Sequence, residues 1–151
     1  MQKVTPFLWF NNYAEEAINF YLSIFKNAKL LSHSRFGPEG KLMSAEFEID
    51  GQRFMALDGG PQFTFNEAIS LFVHCETQEE VDDLWGKLTA EGEERACGWL
   101  KDKYGLSWQI VPAALSRLLR DKDPQKAKRV MQAMMQMTKI DIAGLERAYN
   151  G

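Results

Sequence analysis

Residues 41–58 read KLMSAEFEIDGQRFMALD, and the fold turns on this stretch. Ala45, Phe47 and Ile49 alternate with Ser44, Glu46 and Glu48, the pattern of a half-buried strand over Lys41 to Ile49. Asp50-Gly51 is a two-residue hairpin signal, and Gln52 to Asp58 reads as the returning strand. Upstream, Lys29 to Phe36 reads as another strand that ends at the turn Gly37-Pro38-Glu39-Gly40. Further back lies the aromatic run Phe7-Leu8-Trp9-Phe10, followed by Asn12 as N-cap with Glu15 in a capping box. Ala14, Ala17, Ile18, Tyr21, Leu22 and Phe25 then form one apolar helical stripe. Residues 1–58 are therefore a β-α-β-β-β unit.

The pattern restarts after Gly59-Gly60-Pro61. Ser70 to Cys75 reads as a strand, Thr77 with Glu80 as a capping box, and Val81, Leu84, Trp85 and Leu88 as a helical stripe closed by Glu91-Gly92. Strands are expected over Arg95–Gly98, Trp99–Lys103 and Ser107–Val111, with a turn at Tyr104-Gly105. Ile18, Tyr21, Leu22 and Phe25 reappear 63 residues on, the hairpin 54 residues on, and the caps 65 residues on. This is an internal repeat. The expected fold class is α+β: two βαβββ units forming a half-barrel, with a C-terminal helical extension. Unit one spans 1–58, a crossover 59–69, unit two 70–112 and a helical tail 113–151, all in a single domain. In the tail, Asp123-Pro124 supplies an N-cap and N1 proline for a helix bearing Ala127, Val130, Met131, Met134 and Met137, and Asp141 caps a last helix.

The 151 residues are 45% hydrophobic and 26% charged, enough apolar content to bury a core. No apolar run reaches the ~18–20 residues of a membrane-spanning helix, and no secretory h-region is present. Two cysteines are too few for a disulfide framework, so a cytoplasmic, reducing setting is expected. Residues 1–112 hold 10 Lys+Arg against 17 Asp+Glu, a net of −7, whereas residues 113–151 hold 8 against 4, a net of +4. Asp121 and Asp123 interrupt the basic cluster and no stacking motif accompanies it, so a packing face is expected rather than a nucleic-acid contact.

Strand alternation assigns the site. Phe7, Trp9, Phe54, Ala56, Leu71, Val73, Cys75, Trp108 and Ile110 are expected under the helices. Phe10, Arg53, Met55, Ser70, Phe72, His74, Ser107 and Gln109 are expected to line the concave face, with Phe65 in the crossover as lid or anchor. Apolar walls with a few convergent polar groups suit a small organic molecule. Arg53 can pair with an anion, and Ser107 or Gln109 can hydrogen-bond an oxygen. His74 is the candidate general base on that face. Cys97 has no neighbouring base in sequence and is expected to be a buried thiol.

Trp9-Phe10-Asn11-Asn12, Ala14-Glu15-Glu16-Ala17…Phe20-Tyr21 and Gly59-Gly60-Pro61-x-Phe63-x-Phe65 together resemble the PhnB-like family of the vicinal oxygen chelate superfamily. So do Gly98-Trp99-Leu100-Lys101-Asp102-x-Tyr104-Gly105-x-Ser107-Trp108-Gln109 and Met137-Thr138-Lys139-Ile140-Asp141-Ile142. The superfamily includes glyoxalases, extradiol dioxygenases and bleomycin-resistance proteins, and the family is often labelled 3-demethylubiquinone-9 3-methyltransferase. The resemblance implies that the usual divalent-metal positions fall on Pro6, Met55, Ser70 and Gln109, too poor a set to hold an ion, so neither metal nor cofactor is expected. Together with the Met- and Leu-rich tail it implies a homodimer. The expected function is a small-molecule-binding protein without metal. Its rivals are metal-assisted lyase or dioxygenase chemistry and the methyl transfer of the label. Against the last, Phe54–Gly60 resembles the start of a cofactor loop but lacks the third glycine and a following helix.

Overall fold

The structure is a computed structural model and describes residues 2–151. Two compact units emerge, one ending at Thr64 and the other running from Phe65 to Gly151. The first holds β1 (Phe7–Phe10), α1 (Ala14–Ile24), β2 (Ala28–Phe36), β3 (Lys41–Ile49) and β4 (Gln52–Asp58). The strands form one sheet in the order β1-β4-β3-β2, with β1 parallel to β4 and the rest antiparallel. Asp50 and Gly51 close the hairpin at φ 47° and 84°, the left-handed pair that a two-residue turn requires. α1 buries Ala14, Ala17, Ile18, Tyr21 and Ile24. Tyr21 stacks on Phe47, and Phe47 on Phe54 at 5.2 Å between centroids.

The helix start differs from the expected capping box. Asn12 lies at φ 66°, outside the helix, and its Oδ1 accepts from Lys41 Nζ. The cap comes from the far end of the sheet, where Asp58 Oδ1 accepts from Ala14 N at 2.9 Å. A carboxylate at a helix N-terminus also suits the helix dipole.

The second unit holds β5 (Ser70–Cys75), α2 (Gln78–Thr89), β6 (Glu93–Glu94), β7 (Trp99–Lys101) and β8 (Ser107–Pro112). Its sheet has the order β5-β8-β7-β6, with β5 parallel to β8, so the sequence repeat is a repeat of topology. Thr77 Oγ1 accepts from Glu80 N, as the capping box predicts, an interaction of about 1 kcal/mol. The strand expected over Arg95–Gly98 is absent. Cys97 and Gly98 sit at φ 62° and 83°, which no strand tolerates, and their N–H groups donate to Met137 O and Thr138 O. The turn before β8 is organised by Asp102, 2% exposed, whose carboxylate accepts from Tyr104 N, Leu106 N and Trp108 Nε1.

α3 (Ala113–Leu119), α4 (Pro124–Met134) and α5 (Ile142–Asn150) complete this unit. Asp123 caps α4 through Gln125 N, as expected. Asp141 stands at the N-cap of α5 without a side-chain cap bond, and Gln78 of α2 accepts from Ile142 N instead. Val111, Leu115, Leu118, Val130, Ile140 and Leu145 form the buried cluster that joins tail to sheet. Lys139 pairs with Asp82 at 2.7 Å. The tail is therefore part of the second unit's core.

Candidate functional site

Each sheet keeps one face away from its helix, and register decides which side chains lie there. In the first unit, Ser32 pairs with Glu46, Glu46 with Met55 and Met55 with Phe7, giving one row across four strands. The next row runs Ser34, Ser44, Leu57, Trp9, and on the other side Glu48 faces Arg53. Arg53 and Met55 therefore share the open face, as expected.

Phe10 does not. Its partner is Asp58, which puts it on the face of Ala56 and Phe54, and it is 2% exposed in the core beneath the helix. Phe7 and Trp9, expected in the core, take the open face, and Phe7 is 51% exposed. The 65-residue offset of the caps explains the exchange. Phe7 lies opposite Met55 as Phe72 lies opposite Gln109, so Phe10 is the counterpart of Cys75.

Trp9 is also clamped. Its Nε1 donates to Gly60 O at 2.9 Å, and Phe63 meets its ring edge-on at 5.0 Å. A Cβ on Gly59 would lie 2.3 Å from the Trp9 ring, so the glycine turn after β4 accommodates this tryptophan. It leads into turns and coil up to β5, with no helix N-terminus to cradle a nucleotide-type cofactor.

In the second unit the expected residues do come together. Ser70, Phe72 and His74 on β5 share a face with Ser107 and Gln109 on β8. Phe72 and His74 hold their rings 4.8 Å apart, both exposed. Gln109 Nε2 donates to Ser70 Oγ at 2.9 Å. Ser107 is 1% exposed, and its hydroxyl has no hydrogen-bond partner among the described residues. No hydrogen bond orients the His74 imidazole among the described residues, so the geometry lacks the second group that a positioned base uses. Phe65 is half-buried in the connecting segment and belongs to neither strand grid.

Sequence reasoning missed Trp99 and Lys101. They oppose Gln109 and Ser107 and so belong to the same face. Glu67 holds Arg95 at 3.1 Å and Lys101 at 3.8 Å beside it. The signal was present in the alternation Trp99-Leu100-Lys101 mirrored across Tyr104-Gly105.

The thiols are unsuited to nucleophilic work. Burial, then the Glu80 and Glu76 carboxylates, push the Cys75 thiol up to about 12. Cys97 is half-buried, less enclosed than expected, on a backbone tied to the tail.

At the four positions equivalent to the superfamily's metal ligands, Pro6 offers only a carbonyl that already accepts from Met55 N. Met55 offers a thioether, and Ser70 and Gln109 bond one another. Among the described residues no three His, Cys, Asp or Glu side chains gather as a metal set. This donor chemistry does not fit a hard divalent ion.

Two four-stranded βαβββ sheets with this strand order define the glyoxalase/bleomycin-resistance fold of the vicinal oxygen chelate superfamily. Within it the chain belongs to the PhnB-like family: residues 2–111 match the family described as 3-demethylubiquinone-9 3-methyltransferase. A solved structure described as a putative 3-demethylubiquinone-9 3-methyltransferase, PhnB protein, from Bacillus cereus is 41% identical, with TM-score 0.70 over 74% of this chain and 100% of its own. Protein PA1353 from Pseudomonas aeruginosa is 18% identical, with TM-score 0.62 over 74% of this chain and 98% of its own. The fosfomycin resistance protein FosX from Listeria monocytogenes is 18% identical, with TM-score 0.58 over 80% and 98%. The last two are alike in fold. Among curated proteins none matches this sequence. The family match stops at residue 111, ahead of α3.

Proposed function

We propose that this PhnB-like protein binds a small organic molecule against its open sheet faces, and does so without the divalent ion of its superfamily. The carrying observation is the second unit's face, where the Phe72–His74 ring pair stands beside the Ser70–Gln109 couple and the unspent Ser107 hydroxyl. Aromatic surface with a few placed polar groups is what small-molecule sites offer. A flat ring with a donor–acceptor edge suits it, the ring on Phe72 and the edge on Gln109. The methyl transfer in the family description finds no support in the chain after β4, where Trp9 fills the glycine turn.

The reading includes a homodimer in the cytoplasm. Among the described residues no helix is long and apolar enough to cross a membrane. A groove of about 620 Å³ along the tail, with Leu119, Pro124, Ala127 and Met131 in its walls, is an apolar surface on the basic side of a chain whose remainder is acidic. A second copy would bring that opposite charge.

The test uses the full-length chain. Manganese and EDTA should leave the thermal midpoint unchanged, and a rise of several degrees with the metal would overturn the metal-free reading. Benzamide, titrated by NMR, should move Phe72 and Gln109 resonances to saturation, with the effect lost in Gln109→Ala. Light scattering on the same samples should return twice the chain mass, and a monomer at all concentrations would remove the dimer.

A further inference from the structure

The first unit has a depression of about 180 Å³ on its own open face, lined by Ser32, His33, Ser34, Ser44, Glu46 and Met55 together with Ala45. Nothing in the reading above uses it. At ~30 Å³ per water-sized group it holds roughly six non-hydrogen atoms.

Its chemistry is one-sided. Glu46 is half-buried and has neither a hydrogen bond nor an ion pair among the described residues. Two residues on, Glu48 has Lys29 at 3.9 Å, so the sheet neutralises one carboxylate and leaves the next alone. Arg53 stands opposite Glu48, only a diagonal neighbour of Glu46, and it does not line the depression. Diagonal positions on a sheet are about 7–8 Å apart. Around Glu46 stand three hydroxyls, with Ser34 and Ser44 bonded to each other at 3.0 Å and Ser32 directly across the strand. Met55 closes the other side with a polarizable thioether.

We infer that this depression is a subsite for a compact alkylammonium bearing a hydroxyl, an amino-alcohol class of group. The ammonium pairs with Glu46 in a charge-assisted bond, its methylenes lie on Met55, and its hydroxyl exchanges hydrogen bonds with the serines. A half-buried carboxylate is costly without a partner, and a cation of this size supplies one without adding a charge to the sheet. The inference is independent of the second unit's face, since the subsite is built wholly from β2, β3 and β4.

Ethanolamine hydrochloride, ethylammonium chloride and ethylene glycol titrated into the full-length chain, read by NMR on the Glu46, Ser44 and Met55 resonances, test it. Ethanolamine should saturate, ethylammonium should bind more weakly, and ethylene glycol should give no saturable shift. Glu46→Gln should weaken ethanolamine at least tenfold with an unchanged thermal midpoint. Ser44→Ala should remove the difference between ethanolamine and ethylammonium while leaving both able to bind. An equal response to ethylene glycol, insensitivity to Glu46→Gln, or saturation by manganese at the same resonances in place of ethanolamine would each overturn it.

Discussion

In the first unit the hairpin between the last two strands closes with Asp50 and Gly51 alone, while in the second the equivalent turn takes residues 102–106. The short turn is held by backbone geometry, two left-handed residues in succession. The long one is held by a side chain, the buried Asp102 carboxylate with three donors on it. Helix starts differ in the opposite sense. α2 is capped by its own Thr77, three residues from the N–H it serves, and α1 by Asp58, across the sheet. One topology is thus secured by different local devices in its two copies. The tail deepens the contrast, because its apolar side is core for the second unit.

Asp102→Ala gives the largest effect and bears directly on the two turns. It orphans two backbone N–H groups and the Trp108 indole N–H, at about 1–3 kcal/mol per unsatisfied donor. Urea unfolding should show a loss above about 3 kcal/mol, and Asp50→Ala far less, since Asp50 is exposed. Equal losses from the two would erase the distinction between a turn held by a side chain and one held by backbone.

Next comes Gly59→Ala, which probes the first unit alone. The new methyl meets the Trp9 ring at 2.3 Å, so the ring or the segment carrying Phe63 must move, at about 1–3 kcal/mol of overpacking. In a Trp9→Ala background the same substitution should cost almost nothing. If the two losses simply add, Trp9 is not what that glycine accommodates.

Much of this contrast was legible in the sequence, and the exceptions share a cause. Strands β3, β4, β5 and β8 announce themselves through hairpin residues and alternation over six residues or more. Thr77 and Asp123 announce caps because a cap is a local event. The face of Phe10 was not legible, since β1 has four residues, all apolar, and only pairing with Met55 through Asp58 sets its parity. Asn12 lost the capping role to a residue 46 positions away. Arg95–Gly98 looked extended, yet it is a turn stitched to Met137 and Thr138, partners that no local pattern reveals. The open face of the second unit was legible because β5 and β8 are each long enough to fix their own alternation. Trp99 and Lys101 slipped past because β7 is only three residues long.

The smallest effect comes from the matched pair Phe10 and Cys75, which hold equivalent buried places in the two sheets. Phe10 cannot titrate, whereas Cys75 is held protonated well above the ordinary thiol value of 9.0, up to about 12, first by burial and then by Glu80 and Glu76. Above pH 9 the unfolded chain releases this proton while the folded chain keeps it. Protons then favour the folded state, and stability falls as pH rises from about 9 towards 12. Below pH 9 both states hold the proton and the slope vanishes. Cys75→Ala should cost about 1 kcal/mol at neutral pH for the lost sulfur, and should unfold with a shallower alkaline slope than the parent. The two stability curves run parallel up to pH 9 and converge above it. Parallel curves through pH 11 would mean that the thiol ionises as readily in the folded protein as in the unfolded chain, and that Cys75 is no more sensitive to alkali than Phe10.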